Sequence, residues 1–342
     1  FRFGFAQMAP MYNISSVTVS GGVVWVGSDV SGVSRLWSDT SSSQVWSSGP
    51  FSQGKVRAKR SLLSTDSPSD PEGDPWTWMY YMGPRWLPAN QVLGLISDDH
   101  SPNTDSGVFA ITPAGLGYLH VSQWTLEQKA KAWQQFQFPQ HDRHGYMCSV
   151  SLNSFGDRRE FTKGVTDNDG LWRSSSILAQ AYRRMVALKE GDINDAEDAR
   201  RIGWNGFEGL EMSSKLTPAY PKYVARTFCK ISDGDSGCPS SPTDAAQGWY
   251  NSTEEGWMYK GDTSSDTLAG HLVSYPIVYD LLASTDDEKE RVVTMINGLT
   301  KGIIDNDYFL IDPETGKPTK WGYWNPEWLN NNPEYYSERA EN

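Results

Sequence analysis

Three short segments concentrate the residue types that grip and cut sugars. The first is Thr166-Asp167-Asn168-Asp169-Gly170-Leu171-Trp172, set just before a helical pattern. Carboxylates there face the positive end of a helix dipole, which favours their charged form. Either aspartate is a candidate N-cap, which leaves the other, beside the flat ring of Trp172, for chemistry. The second segment runs from Trp257 to His271 and carries Lys260, Asp262 and Asp266 as well. A lysine, two carboxylates and an imidazole at one helix mouth form a dense set of titratable groups. Its plain alternative is an aspartate cap followed by a packed, structural His271. The third segment, Thr319 to Trp328, places Trp321, Trp324, Glu327 and Trp328 close together. It reads equally as a stacking platform beside a carboxylate or as a hydrophobic plug.

A fourth group is His141-Asp142-Arg143-His144-Gly145-Tyr146. Two histidines three apart would suit a metal on a regular helix, but Gly145 breaks the helix and no third ligand is indicated. Arg143, His144 and Tyr146 instead suit binding a uronate and abstracting its proton. Asp233-Gly234-Asp235-Ser236-Gly237 resembles a fragment of a calcium loop without the downstream Glu. No metal or other cofactor is therefore expected, with a structural calcium left open.

Glycosidic cleavage needs paired carboxylates, one to protonate the leaving oxygen and one to activate water or attack the anomeric carbon. The catalytic candidates are Asp169 and Asp262, then Asp167, Asp266 and His271. The binding candidates are Trp172, Trp257, Lys260, Trp321, Trp324, Glu327, Arg143, His144 and Tyr146.

These residues must be held by two different kinds of element. From 1 to 121 the chain shows short β-type runs broken by Gly, Ser, Pro and Asp. Val23-Val24-Trp25-Val26-Gly27 and Gly107-Val108-Phe109-Ala110-Ile111 each lead through a glycine turn into a second short run. Trp76-Thr77-Trp78-Met79-Tyr80-Tyr81 begins a weaker third copy. From Trp124 the period changes to helical. Thr125-Leu126-Glu127-Gln128 is a capping-box pattern that opens a helix with Leu126, Ala130, Trp133 and Phe136 on one side. Further helices are expected over 172–188, over 195–212 with interruptions at Gly203 and Gly206, over 268–282 with a kink at Pro276, and from Thr285 onward.

The expected class is α+β multidomain, with a β-rich, partial propeller-like region at 1–121 and a mainly helical domain at 122–342. Leu87-Pro88-Ala89-Asn90-Gln91-Val92, followed by the glycine-turn phrase, resembles the blade repeat of two-component-regulator-type β-propellers. The Asp-Asn-Asp-Gly-Leu-Trp and Gly-Asp-Thr-Ser-Ser-Asp motifs resemble aspartate-bearing helix mouths of α/α-toroid sugar enzymes, such as unsaturated glucuronyl hydrolases and related polysaccharide-degrading families. The resemblance implies a toroid-like helical domain with helix N-termini lining one end. It also implies a glycoside hydrolase, with a polysaccharide lyase as the variant that uses His144 or Tyr146 as base and Arg143 to neutralise a uronate. Incomplete forms of both folds point instead to a non-catalytic glycan binder or a surface-assembly subunit, self-associating through its β edges.

Bulk properties narrow the partner class. A net charge of −12 argues against nucleic acid and anionic membranes. No apolar run is long enough to insert in a bilayer. Fifteen tryptophans and sixteen tyrosines exceed what a core needs, and a saccharide chain is the partner that an acidic aromatic cleft fits. Cys229 and Cys238 bracket a polar loop and are the expected disulfide. With sequons at Asn13 and Asn251, they point to a secreted or cell-surface glycoprotein. Phe1 at the start and Glu341-Asn342 at the end read as a processed or partly represented chain.

Overall fold

The computed structural model describes residues 13–38, 76–98, 106–122, 124–136, 138–154, 157–241 and 248–331. The two chain ends lie outside these. The fold is mixed, with a β-rich N-terminal region and a helical C-terminal part. Two compact units are present, 1–129 and 130–342.

In the first unit, β1 (Ile14–Ser20), β2 (Val23–Ser28), β3 (Gly32–Ser38) and β4 (Trp76–Tyr81) form an antiparallel meander. A second antiparallel sheet holds β5 (Gly94–Ser97), β6 (Ser106–Thr112) and β7 (Gly115–Val121). The first two glycine-turn phrases are the β2–β3 and β6–β7 hairpins. The Trp76 phrase forms no hairpin of its own. Its strand closes the first sheet by pairing with β3. The Leu87–Val92 segment docks on the β2–β3 turn, where Gly32 donates its amide to the Asn90 carbonyl (2.8 Å) and Val92 donates to that of Ser28 (2.8 Å). Leu87 and Val92 thereby join Trp25, Val33, Tyr81, Val108, Ala110 and Leu119 in one apolar core.

Helix α1 (Leu126–Phe136) opens on the capping box foreseen at Thr125, with Gln128 donating to Thr125 Oγ1 (3.1 Å) and Thr125 donating to Gln128 Oε1 (2.8 Å). Its apolar side is not a core face, since Leu126 is 69% exposed and Trp133 is exposed as well. After the short α2 (Phe138–His141) come two hairpins, β8 (Asp142–Arg143) with β9 (Tyr146–Met147) and β10 (Ser149–Leu152) with β11 (Phe161–Gly164). Then follow α3 (Asp169–Glu190) and α4 (Ile193–Lys215). A small sheet of β12 (Thr227–Lys230), β13 (Trp249–Asn251) and β14 (Trp257–Lys260) precedes α5 (Ser265–Leu281) and α6 (Asp286–Asp305). The hairpin of β15 (Phe309–Ile311) and β16 (Pro318–Tyr323) and the short α7 (Pro326–Asn331) are the last elements among the described residues of the second unit.

The second unit is thus two helical hairpins, each led in by β structure. Helices α3 and α4 are antiparallel, since Arg183 pairs with Asp195 near one end while Gly206 abuts Arg173 near the other. Helices α3 and α5 run parallel: Gly170 lies against Thr267, and further along Arg184 bonds the Leu281 carbonyl, a separation of 97 residues. Arg200–Glu288 and Arg291–Glu211 advance together in the same way along α4 and α6 (both 2.6 Å). The starts of α3 and α5 therefore lie at one end.

Gly203 and Gly206 do not interrupt α4. They allow close helix crossing, because a Cβ at Gly206 would stand 2.5 Å from Arg173 Nε, and one at Gly203 would stand 2.7 Å from Leu282. Pro276 lies inside α5 on an exposed side and does not end the helix. The core of this unit gathers Tyr146, Ile177, Phe207, Leu210, Tyr223, Phe228, Tyr259, Tyr275 and Leu299. Among the described residues no helix is long and apolar enough to cross a membrane.

Candidate functional site

The common start of α3 and α5 draws together all four residue groups, three of them on one rim and the fourth, through Arg143 and Tyr146, against the buried Asp169 and Gly170. Asp167, in the turn before α3, is 47% exposed and accepts from the Lys260 ammonium at the end of β14 (2.6 Å). Its other oxygen lies 3.5 Å from Arg226 Nε, while Arg226 also donates to the Asp262 carbonyl (3.0 Å). Asp262 then accepts the Lys320 amide of β16 on Oδ1 (2.6 Å). One rim of Asp167, Lys260, Arg226, Asp262 and Lys320 joins the first, second and third groups.

A buried scaffold shapes that rim. Asp262 has a left-handed backbone (φ 53°), and its amide donates to Asp312 Oδ2 (2.8 Å). Asp312 is buried, and its other oxygen accepts the amides of Glu314 (2.9 Å) and Thr315 (3.3 Å) in the turn between β15 and β16. Tyr223 donates to the same Asp312 Oδ2 (3.3 Å) and receives the Thr263 amide (3.2 Å). Burial and the adjacent Asp312 push the Tyr223 phenol far above its ordinary range. Sequence reasoning passed over Asp312 and Arg226. An aspartate ahead of Pro-Glu-Thr-Gly is a turn-forming signal that would have found the first, whereas Arg226 carries no local signal.

Asp169 turns inward. It is 1% exposed, and neither it nor Asp167 is the N-cap, a position held by Asn168. Its carboxylate accepts from Thr166 Oγ1 (2.6 Å), Thr227 Oγ1 (2.8 Å), the Thr166 amide and Arg143 (3.2 Å). Burial pushes its pKa up against the opposing pull of those hydrogen bonds and of the Arg143 charge. Such a saturated group anchors the start of α3. Asp266 sits in the first turn of α5 and accepts from Ser264 Oγ; Ser264 is the N-cap, so no aspartate caps this helix either.

His271 is fully buried, with Nδ1 2.8 Å from the Tyr275 hydroxyl and Nε2 without a partner among the described residues. Burial drives its pKa down to about 3, so it is neutral and belongs to the helical core. Tyr146 is likewise buried, and desolvation, with Asp169 close by, pushes its phenol up.

Arg143 is buried between Asp169 and Asp235, with Asp235 at 3.5 Å from Nε, an ion pair rather than a hydrogen bond. It also donates to the Phe228 carbonyl and to Thr227 Oγ1 (3.2 Å). His144, next to it, is 35% exposed with a left-handed backbone (φ 51°), and its Nε2 lies 2.6 Å from Asp233 Oδ2. The carboxylates that resembled a calcium loop thus serve Arg143 and His144. Among the described residues no three His, Cys, Asp or Glu side chains group as metal ligands. Cys229 and Cys238 form a disulfide that closes this loop, and Cys148 is a buried free thiol. Burial raises the Cys148 pKa to about 11.

The aromatic candidates divide. Trp172 is 54% exposed, and Trp257 meets the His144 ring edge-on at 4.7 Å. Trp321 is half-buried under the Lys320 ammonium (4.6 Å). Trp324 packs on the core, and Trp328 stacks on Tyr323 at 4.4 Å, so part of this segment is a plug. Glu327 is exposed on α7. Asn13 and Asn251 are both exposed.

In chemical terms the rim offers one carboxylate committed to cations and a second with one oxygen engaged, with one exposed indole, Trp172, on α3 and half-buried ones on β14 and β16. No family model, no curated protein and no solved structure matches this chain.

Proposed function

We propose that this chain is an extracellular glycan-active protein, a glycoside hydrolase that holds an oligo- or polysaccharide at the Asp167–Lys260–Asp262 rim. The observation that carries the reading is the convergence of three separate loop groups there through the Asp167–Lys260 pair and the Asp262–Lys320 bond. Asp262 is the better-placed group to meet a sugar, because both oxygens of Asp167 face cations. Parallel stacking of two helical hairpins, with their inner starts at one end, supports an α/α-toroid architecture for the second unit. The two antiparallel sheets of the first unit support a reading as propeller-like blades. The disulfide and the exposed sequons support a secreted or cell-surface location.

A lyase is the second reading, favoured by the hydrogen-bonded His144–Asp233 pair, since Tyr146 is fully buried and Arg143 is buried between Asp169 and Asp235. The test is turnover of neutral and uronate oligosaccharides by the wild type, Asp167→Asn and Asp262→Asn. A hydrolase gives new reducing ends, and a lyase also gives an unsaturated sugar that absorbs in the ultraviolet. Loss of about 10²-fold or more in Asp262→Asn is expected. Saccharide binding without turnover would make the chain a lectin. Absence of both would remove the glycan reading.

A further inference from the structure

We propose that the outward sides of α3 and α5 are the two halves of a head-to-tail contact between copies of this chain, the α3 side of one copy covering the α5 side of the next. The contact does not depend on the glycan-active reading above. Helix α5 has no Asp, Glu, Lys or Arg between Asp266 in its first turn and Asp280 in its last. A helix without a polar side belongs between neighbours rather than against water. Yet α5 buries Thr267, His271 and Ser274 while Val273 and Pro276 are exposed, the reverse of a water-facing helix. Ala269, Val273 and Pro276 lie on the side away from Thr267, which faces α3.

The chain itself carries a side that matches. On α3, Trp172, Ala179 and Val186 recur every seven residues and are exposed. They stand about half a turn round the helix from Gly170, the residue that meets Thr267 of α5. Because α3 and α5 run parallel and touch through their inner sides, their outward sides face opposite ways along one row. A second copy displaced along that row brings its α3 against the first copy's α5, still parallel. In equal register large meets small. Trp172 falls opposite Ala269, and Ala179 opposite Pro276, since Gly170 and Thr267 are level. Charge matches as well: Lys189 is exposed in the last turn of α3 and Asp280 is exposed in the last turn of α5, at the same end. With a net charge of −12, copies repel one another except where opposite charges meet. Such a contact is heterologous, so it either closes into a ring or runs on as a chain.

Sedimentation velocity at rising concentration tests the contact, with circular dichroism to confirm that each variant is folded. The wild type is expected to grow beyond a monomer, into a chain or one closed ring. Ala179→Glu blocks only the α3 side and Val273→Glu only the α5 side, and both positions are exposed. Each variant alone is expected to stay monomeric. Their equimolar mixture is expected to form a dimer and stop there, because one open side of each kind remains. The charge pair gives a second handle that leaves both apolar sides intact. Lys189→Glu is expected to weaken association about two- to fivefold, and Lys189→Glu combined with Asp280→Lys to restore it. A wild type that stays monomeric up to several hundred micromolar overturns the proposal. So does a blocked variant that still assembles alone, or a mixture of the two that does not associate.

Discussion

At the residue scale, burial separates groups of similar type into different roles. His271 has its pKa lowered from 6.5 to about 3 by burial. Between those values the unfolded chain binds a proton that the folded chain refuses, so stability falls as pH drops through that window. The full effect is of the order of 5 kcal/mol. Urea unfolding followed from neutral to acid pH should show this slope, and His271→Gln should flatten it. Arg143 presents the opposite case, a buried cation facing two carboxylates, Asp169 and Asp235. Arg143→Leu leaves both unpaired and should cost about 3–5 kcal/mol in equilibrium unfolding. A loss below 1 kcal/mol would mean that water reaches this network.

At the element scale, glycines decide how closely helices and turns approach. A Cβ at Gly209 of α4 would stand 2.1 Å from the Gly145 carbonyl oxygen and 2.2 Å from its carbon, both backbone atoms that cannot rotate away. Gly209→Ala should therefore destabilise by about 1–3 kcal/mol, although alanine is the better helix former by about 1 kcal/mol. Stability unchanged or raised in thermal unfolding would show that the turn moves freely. The start of α6 supplies a separate check. Thr285 and Glu288 form a reciprocal capping box, so Thr285→Ala should cost about 1 kcal/mol without touching the site.

At the scale of the whole molecule, two separate apolar clusters imply two cooperative units. Denaturant unfolding should proceed in two steps. The Cys229–Cys238 bridge lies in the second unit and closes a loop with a sequence separation of 9. Its replacement by two alanines should lower that unit by about 2–3 kcal/mol and leave the other transition in place. Calorimetry of the oxidised protein and the variant would check this, and a single transition that moves as a whole would show that the units unfold together.

Much of the element plan is legible in the chain alone. The capping boxes at Thr125 and Thr285, the glycine-turn hairpins, the helical periods after Trp124 and the cysteine pair are local signals, carried by residues within one or two turns of each other. Residues at 203 and 206 misled for the same reason: a glycine reads locally as a break, whereas the partner that requires it, such as Leu282, lies far along the sequence. The local pattern also marked the three loop groups that meet at the rim. It could not say which carboxylate faces water. Asp167 and Asp169 stand two positions apart, and their fates are set by Lys260 and Arg226 on one side and by Arg143 and Thr227 on the other. Only tertiary packing brings those partners in, because desolvation and hydrogen bonding act through space rather than along the chain.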